Sequence, residues 1–250
     1  MMNLRGTIAG TLGVAVFSIL FASGIRAGDE VPHATIQEAK VVFLGDSLTT
    51  NNGNLGPARG YYHWTDTLQQ RFNLEVVNLG KGGSRADAGL GRLRTALADG
   101  TKPPDFVLIN FGMNDHKIRE SDGQDVSSPE DFERQLTEIV AAARVAGAIP
   151  VLVTPHKIHE GAPDEPGSYY NKYTPANFDK EGGALARFDK FIAVIRKVAS
   201  MQKVDLIDLR AESDKHPGGS LTLDGVHLNG AGHGMYGDVI AAHLSEKYPP

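Results

Sequence analysis

Apolar residues gather in five short runs, 41–44, 74–77, 106–109, 149–153 and 204–207, each rich in Val, Ile, Leu or Phe. None of them alternates strictly with polar positions, which is the pattern of strands buried on both faces. The stretches between them change period. Residues 62–72 place apolar groups at helical spacing, and 86–98 does so through Leu90, Leu93 and Leu97. A third helix opens at Ser128 as N-cap with Pro129 as its first residue, and Gly147 closes it. Segments 184–201 and 231–248 supply the last two. Strand–helix alternation of this kind predicts the α/β class: a three-layer, doubly wound, parallel five-stranded sheet with helices on both faces and right-handed crossovers.

Two long segments stand outside the alternation, 116–127 and 157–180, both polar and broken by Gly or Pro. Loops of such length in a compact domain commonly serve function. The second carries Tyr169, Tyr170 and Tyr173, flat amphipathic surfaces suited to a sugar, although surface decoration explains them equally well. Ahead of the first strand, Arg5 is followed by a mostly apolar run from Ile8 to Ala22 and then by small residues. This is the layout of a secretory leader, with residues 1–27 as the signal peptide and 28–250 as one domain of a size usual for the α/β class. The run is shorter than a bilayer span and is interrupted by Gly10, Thr11 and Gly13, which disfavours a retained anchor. A secreted or periplasmic location follows, with no stable membrane insertion after cleavage.

Composition narrows the chemistry. The chain has no cysteine, so disulfides, thiolate metal sites, cysteine nucleophiles and a lipid-modified cysteine are all excluded. Net charge is −5, and becomes −7 without Arg5 and Arg26. Such a surface gives no electrostatic help toward nucleic acid, which is not expected as a partner.

Two distant motifs carry the strongest signal. Gly45-Asp46-Ser47-Leu48 closely follows the first apolar run, and Asp224-Gly225-Val226-His227 precedes the last helix. A serine hydroxyl needs an adjacent base to become a nucleophile. An imidazole can take that proton and return it to a leaving group. A carboxylate on the far ring nitrogen fixes the tautomer and stabilises the imidazolium. Ser47, His227 and Asp224 are thus candidate nucleophile, base and orienting acid. Alone, Ser47 would read as a helix N-cap, and the following Thr49 excludes a Gly-x-Ser-x-Gly elbow. A metal site from Asp224, His227 and His233 lacks a further ligand at convincing spacing, so no metal and no cofactor is expected.

Between these ends, Asn78-Leu-Gly-Lys-Gly-Gly83-Ser84 and Gly112-Met-Asn114-Asp115 each follow a predicted strand. With Ser47, Gly83, Asn114 and His227 in this order, the chain resembles the SGNH (GDSL) hydrolase family over most of its length after the leader. The resemblance implies a flavodoxin-like fold, a serine esterase acting through an acyl-enzyme, and an oxyanion hole from Gly83, Asn114 and the Ser47 amide. Choosing Gly83 over Gly80 and Gly82 rests on the family's spacing from Asn78. Leu228 stands where many relatives carry proline, which touches loop stiffness and no catalytic group.

Asp46 and Asp115 are expected to act as structural hydrogen-bonders. His156, at the end of the fourth run, and Arg85, after Gly83-Ser84, are candidates for contacting substrate, as is Tyr173. The expected substrate is a short acyl ester, such as an acetyl group on carbohydrate, in a small molecule or a polysaccharide. The alternatives are a lysophospholipase or thioesterase, an acyltransferase with a sugar hydroxyl in place of water, and a carbohydrate-binding protein without turnover.

Overall fold

The computed structural model describes residues 34–51, 61–100 and 102–249. The proposed leader lies outside these residues. Five strands, β1 (Lys40–Gly45), β2 (Glu75–Asn78), β3 (Phe106–Asn110), β4 (Ile149–Thr154) and β5 (Asp205–Asp208), form one all-parallel sheet in the order β2-β1-β3-β4-β5. The register runs Val41 beside Phe106 through Gly45 beside Asn110. The three inner strands are buried almost throughout, as unbroken apolar runs require. The edges β2 and β5 are only partly covered. Both edge strands sit one residue later than their apolar runs, because pairing with the inner neighbour, rather than hydropathy, sets their limits.

Helices α1 (Trp64–Phe72), α2 (Ala86–Leu97), α3 (Pro129–Val145), α4 (Ala184–Gln202), α5 (Leu209–Ser213) and α6 (Gly230–Lys247) complete the described structure, with a 3₁₀ segment at Pro175–Glu181. The first crossover runs from β1 to β2 on one side, and the others step the opposite way. Right-handed connections therefore place α1 on one face and α2, α3 and α4 on the other. Packing agrees: α1 lies against α6, while α3 lies between α2 and α4.

Local chemistry explains the helix ends. The Ser128 hydroxyl accepts the Asp131 N–H at 3.0 Å with Pro129 at the first position of α3. The short α5 is not apparent in the hydropathy pattern. It forms because the Asp208 carboxylate accepts the Ala211 N–H at 3.1 Å. Helix α2 takes its cap from a distant loop, since Asp115 Oδ1 accepts the Ala86 N–H at 2.9 Å. That bond ties the loop after β3 to the start of α2, and both border the sheet's carboxyl edge.

Strand order reverses between β1 and β3, so the loops after these strands open into one crevice. This is where doubly wound sheets bind ligands. Ser47 follows β1 and Asn114 follows β3.

Candidate active site

Asp46 shapes the turn after β1. Its carbonyl accepts the Thr49 and Thr50 N–H groups and its carboxylate Oδ1 accepts that of Leu48, at 3.1, 3.0 and 2.9 Å. Trp64 clamps the same turn from α1, donating its indole N–H to the Leu48 carbonyl. Ser47 is left half-buried at the tip, and the turn bends back on itself at once, so Ser47 caps no helix.

The neighbouring loop after β2 is fastened to this turn by Asn78, whose amide donates to the Thr49 carbonyl at 3.0 Å and accepts the Gly80 N–H at 2.9 Å. Gly80 lies so close to the Thr49–Thr50 backbone that a Cβ would come within 2.5 Å of the Thr50 nitrogen. It is a packing glycine. Gly82 approaches Ser47, its Cβ position lying 4.0 Å from that of the serine, and Gly83 faces open space. Gly83, Ser84 and Arg85 border an open depression of about 380 Å³. Arg85 itself is ion-paired with Asp87 at 2.8 Å.

His227 and Asp224 sit on the loop before α6. Asp224 Oδ1 accepts the backbone N–H groups of Val226 and His227 at 3.1 and 2.7 Å, which fixes the carboxylate beside the ring. Its Oδ2 meets His227 Nδ1 at 2.8 Å, and His227 Nε2 meets Ser47 Oγ at 3.0 Å. Hydroxyl, imidazole and carboxylate are thus in hydrogen-bonded series, although Ser47 and His227 are 180 residues apart. Burial pushes the Asp224 carboxyl up, but hydrogen bonds from His227 and Lys172, with the His227 backbone N–H and ring charge, outweigh it and hold it below the usual carboxylate range.

The loop 157–180 lies against this turn. The His159 N–H donates to the Gly225 carbonyl at 3.0 Å, and the Tyr169 N–H to the His159 carbonyl at 2.7 Å. Gly225 has φ +78°, and a Cβ there would stand 2.3 Å from the Tyr169 nitrogen. Only glycine fits such a conformation and such an approach. From the same loop, Lys172 Nζ donates to Asp224 Oδ2, a contact that no sequence signal marks.

Asn114 is buried, and its Nδ2 donates to Asp46 Oδ2 at 3.1 Å and to the Ser84 carbonyl at 3.0 Å. Both amide hydrogens are engaged, so an oxyanion would have to take one over. Burial raises Asp46 to about 6 against the Leu48 N–H and the charges of Lys117 and His227. It raises Asp115 to about 7 against the Ala86 and Gly112 N–H groups. Both acids brace the crevice.

Two expected substrate contacts are revised. His156 is fully buried and its Nδ1 lies 2.9 Å from the Tyr236 hydroxyl, so it sits in the packed layer beneath the loop and does not line a pocket. Burial lowers it to about 3. Tyr173 is half-buried, with its ring stacked on buried Tyr169 at 4.3 Å and the Lys117 ammonium 5.0 Å over it. Its faces are occupied by protein. His233, weighed above as a metal ligand, is buried against His63 with ring centroids 4.6 Å apart.

Burial of four histidines has a measurable consequence. It lowers His63 and His116 to about 3, as it does His156, and His233 to about 4. The unfolded chain takes up these protons near pH 6.5, so their share of stability is full above that pH and is lost as pH falls. Asp46 and Asp115, raised by burial, work the other way, since the folded chain binds their protons more tightly from about pH 4 up to their folded values of about 6 and about 7. Four groups outweigh two. Stability is expected to fall by about 2 kcal/mol per unit below pH 6.5, seen as a falling Tm from pH 6.5 to 4.5. A Tm that is flat or rises over this range would contradict the burial of these rings in neutral form.

A flavodoxin-like sheet bearing hydroxyl, imidazole and carboxylate in series at its switch point defines a serine hydrolase of the doubly wound α/β type. The chain belongs to the GDSL-like Lipase/Acylhydrolase family, which matches residues 43–235, and it is a carboxylic ester hydrolase. It is 29% identical over 195 residues to the "Uncharacterized lipoprotein YqeF" of Bacillus subtilis, covering 76% of this chain and 78% of that one. It is 28% identical over 180 residues to the "Probable rhamnogalacturonan acetylesterase YesY" of the same species, covering 70% and 69%. Among solved structures, an acetyl-xylooligosaccharide esterase from Geobacillus superposes with a TM-score of 0.61 at 21% identity, over 83% of this chain and 94% of that one. At that identity the likeness speaks for the fold.

Proposed function

We propose that this protein is an exported esterase that removes short acyl groups, acetyl above all, from carbohydrate through an acyl-enzyme on Ser47. The observation that carries the reading is the continuous series Ser47 Oγ–His227 Nε2, His227 Nδ1–Asp224 Oδ2 at the mouth of the crevice. His227 takes the hydroxyl proton as Ser47 Oγ bonds to the acyl carbon. The same proton goes to the leaving sugar oxygen as the ester bond breaks. Water, deprotonated by His227, then attacks the acyl-serine, and the acid leaves with Ser47 restored. Gly83 and Ser47 offer backbone N–H groups to the oxyanion, and Asn114 offers an amide hydrogen released from Ser84 or Asp46.

The carbohydrate lean is supported by the relative named "Probable rhamnogalacturonan acetylesterase YesY" and by the polar loop 157–180. Export is supported by the leader pattern and by a relative named as a lipoprotein. No helix among the described residues is long and apolar enough to cross a membrane.

The test is hydrolysis of p-nitrophenyl acetate, butyrate and octanoate, together with acetate release from acetylated xylan and pectic polysaccharide. Acetate is expected to be the best simple ester, and at least one polysaccharide to be deacetylated. A maximum at octanoate would overturn the carbohydrate reading in favour of a lipid esterase.

A further inference from the structure

Asp224 carries a donor that the three-residue series does not need. Its Oδ2 is shared between His227 Nδ1 and the Lys172 ammonium, while Oδ1 is taken by two backbone N–H groups. Lys172 comes from the loop 157–180, which reaches the Asp224–His227 turn at two points, through the His159–Gly225 hydrogen bond and through this ion pair. The Asp224 side chain is one-fifth exposed and that of Lys172 half exposed. The pair is therefore partly shielded and not buried.

We propose that Lys172 is a positioning residue of the triad, holding the Asp224 carboxylate toward His227 and offsetting part of its charge. The proposal rests on the reading of Ser47, His227 and Asp224 as nucleophile, base and acid. A carboxylate shared with a cation stabilises the neighbouring imidazolium less than one that is free. Lys172 thereby offsets part of the carboxylate's pull on the ring, and removing it is expected to show on the acid limb of the reaction. Of the other titratable groups nearby, Asp46 and Lys117 interact with each other and Asp46 with His227, while buried His156 interacts with His227, His233 and Asp224. Neither Asp46 nor His156 contacts Asp224 Oδ2.

The test follows the rate at which a fluorophosphonate labels Ser47 as a function of pH, which needs no knowledge of the natural substrate. It compares the wild type, Lys172→Met and Lys172→Arg. For Lys172→Met the acid limb is expected to move up by about half to one pH unit, so that labelling on that limb slows about three- to tenfold. On the alkaline plateau the change is expected to stay within about twofold, because the base is then free in both proteins. Lys172→Arg keeps the cation and should keep the wild-type limb. If Lys172→Met lowers the rate equally at all pH values, or leaves the limb in place, Lys172 is a loop anchor only and the proposal fails. If wild-type Ser47 is not labelled at any pH, it is the esterase reading beneath that fails.

Discussion

Ser47→Ala is expected to lower turnover of p-nitrophenyl acetate by at least about 10⁴-fold, and His227→Ala by a comparable factor. The combined variant should fall little further, because nucleophile and base act as one unit and the loss of either removes the pathway. What remains would come from the oxyanion donors and from binding. The Ser47 side chain makes a single hydrogen bond among the described residues, to His227, so its loss costs only about 1 kcal/mol of folding stability. A nearly unchanged melting profile beside lost turnover is the pattern to look for. Activity of Ser47→Ala within tenfold of the wild type would show that another group attacks the ester.

Arg187→Met is expected to cost about 3–5 kcal/mol of stability, lowering Tm by about 6–20 °C in a domain of this size. Arg187 starts from the first turn of α4 with its side chain only 2% exposed. Its Nε donates to the His116 carbonyl at 2.6 Å and its Nη2 to that of Ser127 at 3.3 Å. Asp125 and Glu181 balance its charge at 3.0 and 3.2 Å, and Phe191 lies beneath the guanidinium. One side chain thus closes both ends of the segment 116–127, which begins two residues after Asn114. Methionine fills much of the volume but leaves two carbonyls and the Asp125 carboxylate without this donor, and leaves Glu181 to Lys190 alone. The substitution Arg187→Lys would be no cure, because it keeps a charge and loses the fork that reaches both carbonyls. A loss below about 1 kcal/mol in a thermal melt of Arg187→Met would mean that water replaces the guanidinium at little cost.

Much of this is legible in the chain, for identifiable reasons. The inner strands announce themselves because both faces are covered, which forces 41–44, 106–109 and 149–153 to be apolar throughout. Ser128 and Pro129 mark the start of α3 through cap chemistry that depends only on neighbouring residues. Ser47, Asp224 and His227 fall together because each follows or precedes an element whose place in the sheet the alternation dictates. His156 misleads because its position at a strand end is shared by pocket residues and packed ones alike. Only the Tyr236 hydroxyl, 80 residues away, decides between them. Tyr173 misleads for the same reason, since nothing in the sequence says that Tyr169 will occupy its face. Lys172 is invisible: a lysine in a polar loop reads as solvated until the loop is seen lying on Gly225. The engagement of both Asn114 amide hydrogens likewise depends on Ser84 and Asp46, which come from other loops.

The 180-residue separation between Ser47 and His227 also orders events during synthesis. The ribosome delivers the serine early and the imidazole late, after all five strands have emerged. On the proposed mechanism, until the loop before α6 brings His227 to Ser47 the hydroxyl lacks its proton acceptor. On that mechanism competence arrives in one late step, and a chain that ends before His227 is expected to lack it.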